Sequence, residues 1–176
     1  MARYVALLRG INVGGKNIIK MADLRACLTE GGLADVATYI QSGNVAFRGA
    51  GGARALTTRV EDLLRRRFGY DGWVLLRNRA QLRAVVAQAP DGYGDRTDRH
   101  RYDVIFLRDE TPAAAMDVLP RRPGVDEAWP GPGVLYFSRV KSRASKSRLS
   151  KLASLPIYQK VTVRNWNTTR TLLAMV

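Results

Sequence analysis

Tyr4-Val5-Ala6-Leu7-Leu8, running into Gly10-Ile11-Asn12-Val13-Gly14-Gly15-Lys16-Asn17, decides how this chain reads. The first five residues are apolar on both alternating faces, which predicts a strand covered on both sides. The glycine-rich stretch then connects to a helix whose apolar stripe is Met21, Leu24, Cys27 and Leu28. Strand patterns return at Val36–Gln41, Val45–Phe47 and Trp73–Arg77. A second helical stripe, Leu56, Val60, Leu63, Leu64 and Phe68, precedes the last of them. Gln41-Ser42-Gly43-Asn44 has the composition of a turn joining two strands. The resulting order, β-α-β-β-α-β, is that of a ferredoxin-like unit.

The order then repeats. Asn78 is placed to cap a helix whose buried face is Leu82, Val85, Val86 and Ala89, and a polar loop follows over 90–100. Tyr102–Leu107 reads as a strand. Thr111-Pro112 opens a short helix, with proline at the first helical position. Val125–Trp129 and Val134–Phe137 read as strands around Pro130-Gly131-Pro132-Gly133. Ser147–Leu155 reads as a helix carrying Leu149 and Leu152, Val161–Arg164 as a strand, and Asn167 as the cap of a last helix containing Leu172 and Leu173. The expected architecture is α+β: a tandem duplication of ferredoxin-like β-α-β-β-α-β units with extra helices, packed as one compact body. Residues 1–78 form the first unit, 79–100 a connecting helix and loop, and 101–176 the second unit with its C-terminal helix.

The 176 residues are 46% hydrophobic and 25% charged, an ordinary globular balance. No apolar run reaches the roughly 20 residues of a membrane helix. The N-terminus lacks a signal-peptide layout, so a cytoplasmic protein without membrane contact is expected. The single cysteine excludes an internal disulfide, and its place on an apolar helix face predicts a buried, inert thiol. The net charge of +14 is uneven: +8 over residues 1–88, −3 over 89–138, and +9 over 139–176, where no acidic residue occurs. Such a C-terminal region suits polyanionic or phosphate-bearing partners. Arginine also outnumbers lysine heavily, a bias that high-GC coding produces without any partner.

The residues from Tyr4 to Asn17, then Met21-Ala22-Asp23-Leu24, Thr38-Tyr39-Ile40-Gln41-Ser42-Gly43-Asn44-Val45 and Arg164-Asn165-Trp166-Asn167-Thr168, resemble the bacterial family called domain of unknown function 1697. The resemblance spans nearly the whole chain, with little contribution from residues 79–130. It implies a small cytoplasmic α+β protein and carries over no catalytic residue.

Three segments are candidate ligand contacts. Gly10 through Lys16 matches the G-x-x-x-x-G-K spacing of a phosphate loop. Asn17 stands where that motif places Ser or Thr on Mg²⁺, and the fold expected here is not the parallel sheet of a nucleotide triphosphatase. A looser role remains, with the amides of Gly10, Gly14 and Gly15 joining Lys16 and Arg9 on a phosphate or carboxylate. Asn12, Gln41, Ser42 and Asn44 would orient the ligand, although tight turns favour such residues for backbone reasons alone. Arg164-Asn165-Trp166 offers a charge, an amide and a stacking ring, or else a packed tryptophan.

Arg139, Lys141, Arg143, Lys146, Arg148 and Lys151, interleaved with Ser142, Ser145 and Ser147, form either a solvated face or a surface for RNA. Asp91, Asp95, Asp98 and His100 lack the spacing of a metal loop, and one His with one Cys assembles no zinc site. No cofactor and no metal is expected. The leading expectation is binding of a small anionic ligand at Gly10–Lys16. The alternatives are nucleic-acid binding through the basic C-terminal region and a scaffold without small ligand.

Overall fold

The computed structural model describes residues 1–176. The chain forms two units, Met1–Leu82 with Leu172–Val176, and Arg83–Thr171.

In the first unit the elements are β1 (Ala2–Leu8), α1 (Met21–Glu30), β2 (Ala34–Tyr39), β3 (Asn44–Gly49), α2 (Ala53–Phe68) and β4 (Val74–Asn78). Its antiparallel sheet has the order β2-β3-β1-β4. Val5, Ala6, Leu7 and Leu8 are all buried, as an apolar run without alternation demands. Ala6 and Leu8 join Leu24, Leu28, Phe47, Leu56, Val60 and Leu64 in one core, so both helical stripes point at the same sheet face. Cys27 is buried on α1, and burial pushes its thiol pKa up. The first hairpin strand stops at Tyr39, leaving Ile40 in the turn at φ +49°, a conformation that a β-branched side chain rarely takes.

Helix α3 (Arg79–Ala87) starts from Asn78, whose Oδ1 accepts the Gln81 amide at 2.9 Å while Gln81 Oε1 accepts the Asn78 amide at 3.0 Å. This reciprocal cap satisfies two of the donors that a helix start leaves open.

The second unit contains β5 (His100–Leu107), α4 (Pro112–Val118), β6 (Asp126–Gly131), β7 (Val134–Val140), β8 (Val161–Asn165) and the first residues of α5 (Trp166–Ala174), which from Leu172 on belongs to the first unit. Its sheet is antiparallel in the order β6-β7-β5-β8. Thr111 caps α4, its Oγ1 accepting the Ala114 amide at 3.2 Å.

Three expectations are corrected here. Ser147–Leu155 is not an α-helix: Lys141–Lys146, Leu149–Ser154 and Pro156–Lys160 are successive 3₁₀ stretches. Leu149, Leu152 and Leu155 recur every three residues, the 3₁₀ repeat, and Pro156 stops any longer helix. Buried Asp126 anchors the segment, its Oδ2 accepting the amides of Arg122 at 2.9 Å and Arg148 at 2.8 Å. Secondly, Asn167 does not cap the last helix. Helix α5 begins at Trp166, and Asn165 Oδ1 takes the Thr168 amide at 2.7 Å. Thirdly, the loop over 90–100 is not merely polar, because Tyr93 is buried within it.

Candidate functional site

The Gly10–Lys16 loop is a miniature hairpin. The Asn12 amide donates to Asn17 O at 3.1 Å and the Lys16 amide to Val13 O at 3.1 Å, closing an isolated bridge between Val13 and Lys16. Gly14 and Gly15 lie at φ +59° and +74°, so they are the two central residues of a tight turn that requires positive φ at both. The phosphate-loop spacing is thus met here by a hairpin tip.

Asparagine side chains hold this hairpin. Asn12, at φ +53°, donates from Nδ2 to Ile19 O at 3.0 Å and to Gln41 O at 2.9 Å, and its Oδ1 accepts the Ile19 amide at 2.8 Å. Asn17 donates to Gly10 O at 2.9 Å and to Asp71 Oδ1 at 3.0 Å. Buried Asn44 donates to Tyr39 O at 3.1 Å and Ser42 Oγ at 2.9 Å. Loop and hairpin turn therefore meet through Asn12, while Asn44 and Ser42 brace the turn itself. Lys16 and the Gln41 side chain stay exposed. The Arg9 guanidinium lies 5.8 Å from the centre of the Trp73 ring, a cation–π distance. Val13, Ile18 and Ile40 are exposed around this join, at 65%, 75% and 48%.

Arg164, Asn165 and Trp166 lie in the second unit. Arg164 is buried and donates to Thr162 Oγ1 at 2.9 Å and Val163 O at 2.8 Å. The Trp166 ring is buried edge-on against Tyr93, with centroids 5.1 Å apart, so it packs rather than offering an open stacking face. Asn165 and Trp166 nevertheless line a cleft of about 360 Å³, together with Thr97, His100, Arg101, Tyr102, Asp103, Arg139, Lys141 and Asn167.

The charge balance of this cleft is positive. Asp103 is its one carboxylate, half-buried, and its Oδ2 lies 3.7 Å from Arg139 Nη2, too far for a hydrogen bond. Burial raises the Asp103 pKa above the ordinary 3.8, against the lowering pull of Arg139 and Arg101. A carboxyl whose folded pKa is raised costs the fold stability once ionised, and the cost disappears as pH falls through that pKa. Asp103→Asn is thus expected to melt progressively higher than the parent as pH rises from about 4 to 8, with the two converging at the acid end. Paired melting curves check this; a constant gap refutes the assignment.

Arginine and aspartate at 101 and 103 within an otherwise apolar strand were the sequence signal for the cleft. Period-two alternation puts both on one face of β5. The cross-strand partners Arg139 and Asn165 required the register, which links Arg101 with Arg139 and Asp103 with Asn165.

With both units in view, the chain can be set against known proteins. The family model for "Protein of unknown function (DUF1697)" matches residues 1–136. The chain belongs to the DUF1697 family. This member is similar in fold to a solved structure, conserved bacterial protein SP0830 from Streptococcus pneumoniae. The two are 27% identical with a TM-score of 0.84, covering 99% of this chain and 98% of that one. No curated protein matches this DUF1697 chain. No helix is long and apolar enough to cross a membrane.

Proposed function

We propose that this protein is a tandem of two ferredoxin-like units that binds a small anionic, phosphate-bearing ligand at the Gly10–Lys16 hairpin. The duplication reading rests on matching registers. Val5 pairs with Arg77 and Tyr4 with Asn78; Val104 pairs with Arg164 and Asp103 with Asn165. Each final strand thus ends Arg-Asn, and each asparagine caps the helix that follows. Leu8 donates its amide to Gly43 O and Leu107 to Gly133 O, while Arg9 donates to Trp73 O and Arg108 to Lys160 O. Residues 1–78 and 101–176 are the two copies, joined by the helix and loop of 79–100.

The observation that carries the binding reading is the join of loop and turn through Asn12 and Gln41 O at 2.9 Å. Three of the five non-glycine residues at positive φ, Asn12, Asn17 and Ile40, gather there. Backbone strain of this kind concentrates at ligand clamps. The amides of the Gly14-Gly15 tip and the Lys16 ammonium supply the anion contacts, Arg9 adds charge, and exposed Val13 and Ile18 suit an apolar portion of the ligand. The test is the rise in melting temperature on adding inorganic phosphate, sugar phosphates or nucleotides. Lys16→Ala is expected to weaken the effective compound about 10- to 150-fold, the equivalent of one charge-assisted hydrogen bond of about 1.5–3 kcal/mol. An unchanged response in Lys16→Ala would remove the loop from the reading.

The 3₁₀ segment favours a second reading, RNA binding. Lys141, Arg143, Lys146, Arg148, Lys151 and Lys160 are all exposed along it, with no acidic residue among them. Binding of this type falls steeply with salt, whereas a single-anion site responds weakly. A scaffold role without small ligand predicts neither response.

A further inference from the structure

We propose that the cleft lined by Arg101, Arg139, Lys141, His100 and Asn165 in the second unit is a separate site for a small oxyanion, the carboxylate or phosphate of a metabolite-sized molecule. Its volume of about 360 Å³ lies at the lower end of the roughly 300–1,000 Å³ typical of small-molecule pockets.

The cleft holds an unbalanced pair of charges. Arg101 and Arg139 stand directly opposite each other on β5 and β7. Like charges in that arrangement oppose strand pairing, and Lys141 adds a third positive charge to the same cleft. Asp103 is the only carboxylate lining it. Asp126, opposite Arg139 on β6, gives its Oδ2 to the amides of Arg122 and Arg148 and keeps a buried Oδ1 without a hydrogen-bond partner, but it does not line the cleft.

The cleft also holds polar atoms whose hydrogen bonding is unmet. Arg139 Nε, Asp103 Oδ2 and His100 Nδ1 are buried without a hydrogen-bond partner, although such groups are nearly always satisfied in folded proteins. The Arg139 guanidinium is therefore not locked onto Asp103 in the short bidentate pairing that arginine and carboxylate prefer. An oxyanion entering between Arg101 and Arg139 relieves their repulsion and gives the guanidinium a planar acceptor. Asn165 and Asn167, exposed at the start of α5, place polar side chains on the same rim.

The two arginines make the ligand an anion.

The test is titration of the full chain with inorganic phosphate and, separately, with citrate, followed by backbone amide NMR shifts. The expected result is saturable movement of amides at 100–103, 139–141 and 165–167 with at least one of the two. Phosphate alone identifies a phosphate site and citrate alone a carboxylate site. Arg139→Gln is expected to raise the dissociation constant at least tenfold. Exposed Arg101→Gln gives the same reading should Arg139→Gln fail to fold. Shifts that stay linear in ligand, that fall only at 10–19 and 41–44, or that survive both substitutions overturn the cleft as a site. Shifts at 10–19 report on the hairpin proposal instead, so the two readings succeed or fail separately.

Discussion

Gly43→Ala is expected to destabilise the first unit by about 2–5 kcal/mol, combining ~1–2 for a left-handed backbone and ~1–3 for overpacking. Gly43 lies at φ +76° in the turn between β2 and β3. A Cβ there would overlap Ile11 Cγ2 and stand 2.9 Å from Leu8 Cβ. Both neighbours are fully buried, so neither can step aside into solvent. The Gly43 carbonyl also takes the Leu8 amide at 2.8 Å, which fixes the turn against the end of β1. Space and conformation therefore oppose alanine at the same atom. A drop in melting temperature of roughly 10 °C is expected for a chain of this length. A change below about 2 °C would mean that the turn relaxes freely and does not hold the Gly10–Lys16 hairpin in place.

Tyr93→Phe is expected to cost about 3 kcal/mol, since buried polar groups left unpaired cost ~1–3 each. The Tyr93 hydroxyl bridges the facing residues Asp103 and Phe137 of β5 and β7. It donates to Asp103 O at 2.6 Å, lies 3.0 Å from Phe137 O, and accepts the Phe137 amide at 3.1 Å. Its ring meets Tyr102, Trp129, Tyr136 and Trp166 edge-on, with centroids 4.8–6.0 Å apart. Phenylalanine keeps those contacts and removes only the oxygen, so the measured loss belongs to the hydroxyl. Burial also raises the phenol pKa well above its ordinary value, so Tyr93 stays protonated and continues to donate at pH values that ionise an exposed tyrosine. Chemical denaturation of the variant and the parent checks the prediction. Equal midpoints would show that water replaces the hydroxyl at no cost.

These two positions show what could be read from the residues alone and what could not. β1 was legible as an unbroken apolar run and α2 as a periodic stripe, because burial on both faces or on one writes itself into the order of the residues. Gly43 was legible as a turn residue, but Ile11 as the atom that forbids a side chain there was not, since that contact is tertiary. Tyr93 sits among Asp91, Gly92, Gly94 and Asp95, which locally spell a solvated loop. Only the reach of its hydroxyl to the paired strands β5 and β7, and the rings that surround it, explain its burial. The 3₁₀ segment misled for a related reason: a leucine every three residues is compatible with one helical turn of either kind, and proline decides the matter only at the end.

The candidate sites divide in the same way. Glycines at 14 and 15 and asparagines at 12 and 44 were visible as unusual, yet unusual backbone geometry and ligand contact draw on the same residue types. Hydrogen-bond partners separate the two, and they assign the asparagines to the scaffold while leaving Lys16 exposed. In the second unit Arg101 and Asp103 stood out within β5, but Arg139 of β7, Lys141 beyond it and Asn165 of β8 join them only through a register that no local pattern records.

The stretch of 3₁₀ turns between Lys141 and Lys160 has a practical consequence. Such turns form few cooperative hydrogen bonds, and segments of this kind open locally at lower cost than packed helices or central strands. This one also carries most of the chain's lysines, each exposed. Trypsin would therefore find its first cleavage points here, between the two hairpin strands β6–β7 and the closing strand β8. A nick at this seam would separate the chain into two pieces still held together by the β5–β8 ladder. The molecule thus carries its own natural break point for producing a split protein whose halves report, by reassembling, on whatever occupies the neighbouring cleft.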